Sequence, residues 1–209
     1  MKILPLLFVL CTHAFAGAPT PPAPPAEKTA PCCKVVVPVG APTDKSLYLL
    51  ESQWTSDRGV TVPLSVLRGR PQVVGMFFSH CEYACPILLN DMKKLEARLP
   101  AAVRAQTDFL LVSIDPKRDT PEVLAAFRER SGLPVAHWTL LRGREDDVRE
   151  LAALLGVNYA PDARGQFAHS NLLTVLNAEG EICFQQAGLQ ADPTGLAEAI
   201  EKAVASAKR

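Results

Sequence analysis

The sequence lacks an excess of charge of either sign, because 22 Lys and Arg residues balance 22 Asp and Glu residues over 209 positions. Nucleic acids and strongly charged partners are held by extended fields of one sign. The balance therefore argues against nucleic-acid binding. The length suits one domain with its own core, since domains of about 100–200 residues are typical. We expect any function to depend on a local site.

The sequence also lacks an apolar run of the roughly 20 residues that a membrane-spanning helix needs. The first apolar run, Ile3 to Leu10, follows Lys2 and precedes Ala14-Phe15-Ala16. This pattern is typical of a cleavable signal peptide. We predict a signal peptide over 1–16, no transmembrane segment in the mature chain, and a periplasmic protein that is either free or held at the membrane by a partner.

A stretch rich in proline and alanine follows the predicted signal peptide, with six prolines between Pro19 and Pro31. Prolines at this density prevent helix and stiffen the chain into extended segments. We predict a tether over 17–44 that spaces the domain from a surface, a leader without a role being the alternative. A single domain is expected over 45–209.

Apolar patterns in the remainder alternate between strand and helix. Continuous apolar runs from Val73 to Phe78 and from Phe109 to Ile114 predict central strands. A helix between them is predicted by apolar residues at helical spacing, from Leu88 to Leu99. Thr120-Pro121 predicts the capped start of a second helix.

Later patterns complete the fold. We predict a strand near His137–Leu141, a helix from about Glu145 that ends at Gly156, a hairpin of Leu172–Leu176 with Glu181–Gln186, and a last helix carrying Leu196, Ile200 and Val204. The resulting order, β-α-β-α-β-α-β-β-α, predicts an α/β fold with a mixed central sheet flanked by helices.

The number of cysteines argues against a simple disulfide-stapled scaffold. Removal of the predicted signal peptide discards Cys11 and leaves Cys32, Cys33, Cys81, Cys85 and Cys183. Five is odd, so at least one thiol lies outside any internal disulfide. Exported thiols tend to be oxidised unless a metal or a reductant holds them.

The most informative pair is Cys81 and Cys85, which follows a predicted strand and leads into a helix. Pro86 fits a first helical turn, so we expect Cys85 at or just before the helix start, where the helix dipole lowers the thiol pKa. Two such thiolates bind a soft metal, exchange disulfides, or do both. Hard cations are disfavoured because oxygen ligands are missing.

A histidine would complete a three-coordinate site for Cu(I). His169 is the best candidate, because it lies in a predicted loop just before an apolar strand, where it could face the cysteine loop. The alternative is a solvated surface histidine. His80 could instead supply a fourth ligand and favour zinc, although neighbours on an extended segment point to opposite sides. His137 falls in a predicted strand, and nothing in the pattern around it indicates a metal ligand.

Three pieces of the chain together resemble the Sco (SenC) family of thioredoxin-fold copper proteins, which serve assembly of the binuclear copper site of cytochrome c oxidase. They are the segment Phe78–Pro86 with its two cysteines, the run Val112–Pro121, and His169-Ser170. The resemblance implies a thioredoxin-like fold and copper ligation by Cys81, Cys85 and His169. It implies as partner the copper-site subunit of cytochrome c oxidase or another periplasmic copper protein.

The resemblance leaves two functions open. One is a metallochaperone that supplies copper, which is not an enzyme. The other is a thiol–disulfide oxidoreductase, whose catalytic residues would be Cys81 and Cys85, that reduces the cysteines of the acceptor site. A peroxide-reducing thiol enzyme on the same fold is a third hypothesis.

Two further features keep more than one interpretation. Cys32-Cys33 could capture a second Cu(I), bridge two molecules or pair with Cys183, which is otherwise expected to be a small buried residue. The run from Asp115 to Pro121 reads as a strand end, a turn and a helix cap, with Arg118 pairing with Asp115 or Asp119. Its functional reading is a wall of the metal loop or a docking surface.

Overall fold

The computed structural model describes residues 43–162 and 166–207, which form a seven-stranded mixed sheet, a separate two-stranded sheet and the helices that flank them. The strands are β1 Gln53–Ser56, β2 Thr61–Pro63, β3 Gln72–Phe77, β4 Asp108–Ser113, β5 Trp138–Arg142, β6 Tyr159–Pro161, β7 Phe167–His169, β8 Leu172–Leu176 and β9 Ile182–Ala187. The helices are α1 Ala84–Arg98, α2 Ala101–Arg104, α3 Pro121–Ser131, α4 Glu145–Leu155 and α5 Thr194–Ala207, with short 3-10 turns at Leu47–Leu49 and Leu64–Leu67. The signal peptide and nearly all of the tether predicted before residue 45 lie outside the described residues.

The main sheet has seven strands in the order β2-β1-β5-β4-β3-β8-β9. Strands β3, β4 and β5 are parallel to one another, and the remaining neighbours are antiparallel. Strands β6 and β7 form a separate two-stranded sheet. The predicted mixed sheet is therefore confirmed.

The predicted helices are present, and their boundaries follow from their caps. The Thr120 hydroxyl accepts a hydrogen bond from the Val123 N–H at the start of α3, as expected of an N-cap. Helix α4 ends at Gly156, whose φ of 72° is the left-handed conformation that glycine adopts most readily. The apolar face predicted for α1 is buried.

Close packing of α1 on the sheet depends on Gly75 at the middle of β3. A β-carbon at this position would lie 3.2 Å from the Met92 sulfur and 3.5 Å from Leu88 Cδ2. Glycine leaves room for both side chains, so α1 lies directly over β3. The packing fixes the helix whose first turn contains Cys85.

The two small hairpins were missing from the predicted order. Strand β1 has four residues and β2 has three, and β6 and β7 have three each. Runs this short give too few positions for an alternating pattern to be recognised. The hairpin β6–β7 matters for function because it carries His169, which was expected in a loop.

Candidate metal centre

The cysteine-bearing segment leaves the sheet at the carboxyl end of β3. It turns at once, because the Cys81 N–H donates to the Phe78 carbonyl oxygen at 3.2 Å. Phe78 is fully buried and Cys81 is half-buried against the core. One face of the Cys81 side chain is therefore fixed by packing and another remains accessible.

Helix α1 begins at Ala84, so Cys85 is its second residue and Pro86 its third. Tyr83 precedes the helix without making a side-chain cap. The Cys85 N–H instead donates to the Cys81 sulfur at 3.3 Å. The Cys81 sulfur thus satisfies one of the unpaired N–H groups of the first turn, which ties the two cysteines together locally.

The expectation of a lowered pKa for Cys85 is wrong for the metal-free protein. Cys85 is 3% exposed, and burial, which disfavours the charged thiolate, raises its pKa well above the ordinary value, with the nearby Cys81 sulfur adding to the rise. A hydrogen bond from the Phe78 backbone lowers the pKa, and its influence is second only to that of burial. The helix terminus does not overcome desolvation at this site.

His169 reaches the cysteines from the end of β7. Strand β8 is antiparallel to β3, so the segment just before β8 lies at the same edge of the sheet as the segment just after β3. The Nε2 atom of His169 lies 3.5 Å from the Cys85 sulfur. Its Nδ1 atom lies 3.1 Å from the Ser170 carbonyl oxygen.

The second contact fixes the tautomer of His169. A carbonyl oxygen only accepts hydrogen bonds, so Nδ1 carries the proton and Nε2 keeps a lone pair directed at Cys85. Burial lowers the pKa of His169, which keeps the ring neutral at pH 7. A metal ligand needs this state, with the far nitrogen held by a carbonyl.

The three side chains form a compact donor set. The sulfurs of Cys81 and Cys85 and a ring nitrogen of His169 all lie within 4.8 Å of one another. Two sulfurs with one imidazole nitrogen suit a soft ion such as Cu(I) and offer no oxygen to a hard cation. The sequence-predicted ligands are thus brought together by the fold.

A small cleft borders the cluster on its open side. Its volume is about 350 Å³, and it is lined by Phe78, Cys81, Glu82, Tyr83, Ala84, Gln166 and Phe167. The Phe167 ring meets the Phe78 ring edge to face at 5.4 Å, and the Phe78 ring meets the His169 imidazole in the same way at 6.0 Å. These aromatic contacts couple the hairpin β6–β7 to the main sheet.

The other sequence candidates lie away from the cluster. The Nδ1 atom of His80 is 2.9 Å from the Ser79 hydroxyl, and His80 is not part of the group of potential ligands. His137 lies in the turn before β5, beside Asp108. Cys183 is exposed on β9, not buried as expected, and it forms no disulfide with another cysteine among the described residues. Cys32 and Cys33 lie outside the described residues.

Sequence reasoning undervalued Asp119. The predicted pairing of Arg118 with Asp115 is present, whereas Asp119 is fully buried and bonds to Ser79, two residues before Cys81. The sequence pattern of the run that contains it mainly indicates a turn and a helix cap. The presence of a second aspartate could have indicated a further role for Asp119, because the N-cap formed by Thr120 does not require an aspartate before it.

Comparison with known proteins gives a consistent result. The sequence pattern of the family described as SCO1/SenC matches residues 42–205. A Stutzerimonas stutzeri protein named for copper binding is 27% identical over 147 residues, which are 68% of this chain and 69% of that protein.

Solved structures agree with this match. A SCO1/SenC family lipoprotein from Bacillus anthracis is 22% identical, with a TM-score of 0.68 over 78% of this chain and 97% of the other. Arabidopsis thaliana ScoI, solved with copper bound, is 19% identical, with a TM-score of 0.62 over 80% of this chain and 98% of the other. These likenesses confirm the predicted thioredoxin-like fold.

Proposed function

Since the chain belongs to the SCO1/SenC family, we propose that it is a periplasmic metallochaperone that binds copper and supplies it to the binuclear copper site of cytochrome c oxidase. The observation that carries the proposal is the grouping of Cys81, Cys85 and His169 within 4.8 Å. The copper-binding name of one relative and the bound copper in another support it.

The proposed role requires export and a spaced domain. The signal peptide over 1–16 and the tether over 17–44 supply both, ahead of a domain that begins at residue 45. No helix among the described residues is long and apolar enough to cross a membrane. The acceptor is the copper-site subunit of cytochrome c oxidase or another periplasmic copper protein.

Copper is the cargo, and its transfer proceeds by ligand exchange. A three-coordinate Cu(I) leaves room for an incoming thiolate from the acceptor. Cys81 borders the cleft and is more accessible than Cys85, so the incoming thiolate approaches on the side of Cys81. As each acceptor sulfur binds, one donor ligand leaves, and a departing cysteine takes up a proton to become a thiol.

The test is anaerobic Cu(I) binding by the mature chain in competition with a chromophoric chelator. Wild type should bind one ion in the three-ligand site. Cys85→Ser should weaken binding by more than about a hundredfold, since loss of an outer-shell partner alone typically costs 10–100-fold. His169→Ala should weaken it by a smaller factor.

Matched controls separate ligands from bystanders. Cys183→Ser removes an exposed cysteine on strand β9, and His137→Ala removes a histidine beside Asp108. Both should leave this site's affinity unchanged. Unchanged affinity in both Cys85→Ser and His169→Ala would eliminate the proposal.

A second candidate function is reduction of the acceptor's cysteines, favoured by the closeness of Cys81 and Cys85. The more accessible Cys81 thiolate would attack the acceptor disulfide and release one acceptor thiol. Cys85 would then attack the Cys81 sulfur, which forms the Cys81–Cys85 disulfide and releases the second acceptor thiol, so two electrons pass to the acceptor. Reduction needs both cysteines and should be unaffected by His169→Ala, whereas copper binding should be weakened by it.

A further inference from the structure

A buried carboxylate holds the turn that carries Cys81. Asp119 has no exposed surface. Its Oδ2 atom accepts a hydrogen bond from the Ser79 N–H at 3.1 Å, and its Oδ1 atom accepts one from the Ser79 hydroxyl. Asp119 thus binds both donor groups of a residue that lies two positions before a proposed copper ligand.

The remaining polar groups around Ser79 are also occupied. Its carbonyl oxygen accepts a hydrogen bond from the Arg130 guanidinium at 3.0 Å. Asp119 directly precedes the Thr120 N-cap of α3 and Arg130 lies in its last turn, so both backbone groups of Ser79 are held by side chains associated with one helix. Few rotations of the turn remain.

The carboxylate is itself held in place. The Ser113 hydroxyl at the end of β4 donates to Asp119 Oδ2 at 2.5 Å and accepts from the Asp115 N–H at 3.0 Å. Since the carboxylate only accepts, the Ser79 hydroxyl donates to it, and the His80 Nδ1–H then donates to the Ser79 oxygen at 2.9 Å. The contact engages the Nδ1 atom of His80 with Ser79, and His80 is not part of the group formed by Cys81, Cys85 and His169.

We propose that Asp119 is a positioning residue for the metal centre, which fixes the Phe78–Cys81 turn through Ser79 and so holds the Cys81 sulfur within reach of Cys85 and His169. The inference rests on the proposed copper function for its meaning but not for its test. Buried, charge-assisted hydrogen bonds are among the stronger ones in proteins. Outer-shell partners of this kind orient the ligands of metal sites.

The test uses Asp119→Asn, because the amide keeps the shape of the side chain but places donor hydrogens opposite the donors of Ser79 or Ser113. The matched control is Asp115→Asn. Asp115 is a buried aspartate of the same run, but its carboxylate pairs with Arg118 and not with the cysteine turn. Ser79→Ala, which removes only the hydroxyl donor, is the milder second variant.

The first readout is alkylation of the metal-free mature chain, followed residue by residue by mass spectrometry. The exposed thiol of Cys183 serves as an internal reference in every sample. In Asp119→Asn the Cys81 rate relative to Cys183 should rise several-fold while buried Cys85 stays protected. General loosening of the fold would instead expose both cysteines.

The second readout is Cu(I) affinity. Asp119→Asn should lower it by about 10–100-fold, the usual cost of losing an outer-shell partner, and Ser79→Ala should lower it less. Asp115→Asn should leave both readouts within about twofold of wild type.

A folded Asp119→Asn variant whose Cys81 is alkylated at the wild-type rate would overturn the inference. It would also be overturned if Asp115→Asn changed the Cys81 rate and the Cu(I) affinity as much as Asp119→Asn does. If Asp119→Asn does not fold, Ser79→Ala decides in the same way. A wild-type chain that binds no copper would refute the proposed function, and alkylation would still decide the role of Asp119.

Discussion

The cysteines and the histidine of the proposed copper site are held by two regions of very different construction. Cys85 is buried in the first turn of α1, which packs on β3. His169 lies on the two-stranded hairpin β6–β7, outside the main sheet. One half of the site is part of the core, and the other half is attached to it by aromatic contacts.

The difference indicates that the two regions have different roles in holding and releasing the ion. A ligand fixed in the core keeps its place whether or not a metal is bound, and a ligand on a small hairpin moves with less cost. Transfer of an ion requires both retention and release. We interpret the cysteine half as the permanent part of the site and the histidine half as the adjustable part.

The largest expected effect is a difference between the two regions in how much a substitution lowers the free energy of unfolding. Leu88→Ala, beneath the cysteine half, removes a side chain that is 1% exposed and should lower the free energy of unfolding by about 2–5 kcal/mol. Phe167→Ala, on the hairpin, should lower it by about 1 kcal/mol or less, since the side chain is only half-buried. Urea unfolding measures both.

For Cu(I) affinity the hairpin variant should matter more than its small effect on stability suggests. Phe167→Ala loosens the contact with Phe78 and should weaken Cu(I) affinity although the fold remains intact. Equal destabilisation by the two variants would show that the hairpin belongs to the same cooperative core. The division between the two regions would then be lost.

A second prediction separates the two regions by proton release. Burial raises the pKa of Cys85, so Cu(I) displaces its proton at neutral pH, and affinity should rise about tenfold per pH unit for this thiol. The pKa of His169 is lowered by burial, so above pH 6.5, about the ordinary pKa of a histidine, the ring is already neutral and loses no proton when Cu(I) binds. His169→Ala should therefore keep the slope between pH 6.5 and 8, measured by competition titration.

The control for this slope is Cys85→Ser. It should reduce the dependence by one proton in whatever residual binding it retains. A wild-type affinity that does not change with pH would contradict a protonated Cys85.

The smallest effects concern stability of the metal-free protein, where the two regions act in opposite pH ranges. A raised folded-state pKa means that Cys85 stabilises the fold below its unfolded pKa of about 8.5 and that this stability is lost as pH rises above it. A lowered folded-state pKa means that His169 costs stability as pH falls below about 6.5. Each slope is at most about 1.4 kcal/mol per pH unit.

Substitution assigns each slope to its residue. Cys85→Ser should flatten the alkaline decline and leave the acidic one, and His169→Phe should do the reverse. Urea unfolding across pH 5–10 distinguishes them. Acidic and alkaline slopes that both survive both substitutions would remove these residues as the cause.

The same contrast explains what could be predicted from the sequence. The Cys81–Cys85 pair follows a long apolar strand and precedes a regular helix, so its place was readable from local pattern. The position of His169 depends on the antiparallel pairing of β8 with β3, a long-range fact that no local pattern contains. The local pattern offers His169 only as a candidate in a loop just before an apolar strand, and the family resemblance then implies that it is a ligand.

Two errors have a common physical cause. The pKa of Cys85 and the exposure of Cys183 both depend on how deeply a residue is buried, which the chain's neighbours in space decide. The helix terminus near Cys85 was visible in the sequence, but the desolvation that outweighs it was not. Asp119 was undervalued for the same reason, because its partner Ser79 is 40 residues away.

The central claim is that one copper ion is shared by two cysteines of the segment that leads from β3 into α1 and one histidine of the hairpin. X-ray absorption at the copper edge of the Cu(I)-loaded mature chain, with Cys32 and Cys33 replaced by serine, tests it most directly. We predict two sulfur neighbours and one nitrogen neighbour in this background, and loss of the nitrogen alone on adding His169→Ala. A first shell without nitrogen, or one that His169→Ala leaves unchanged, would contradict the account.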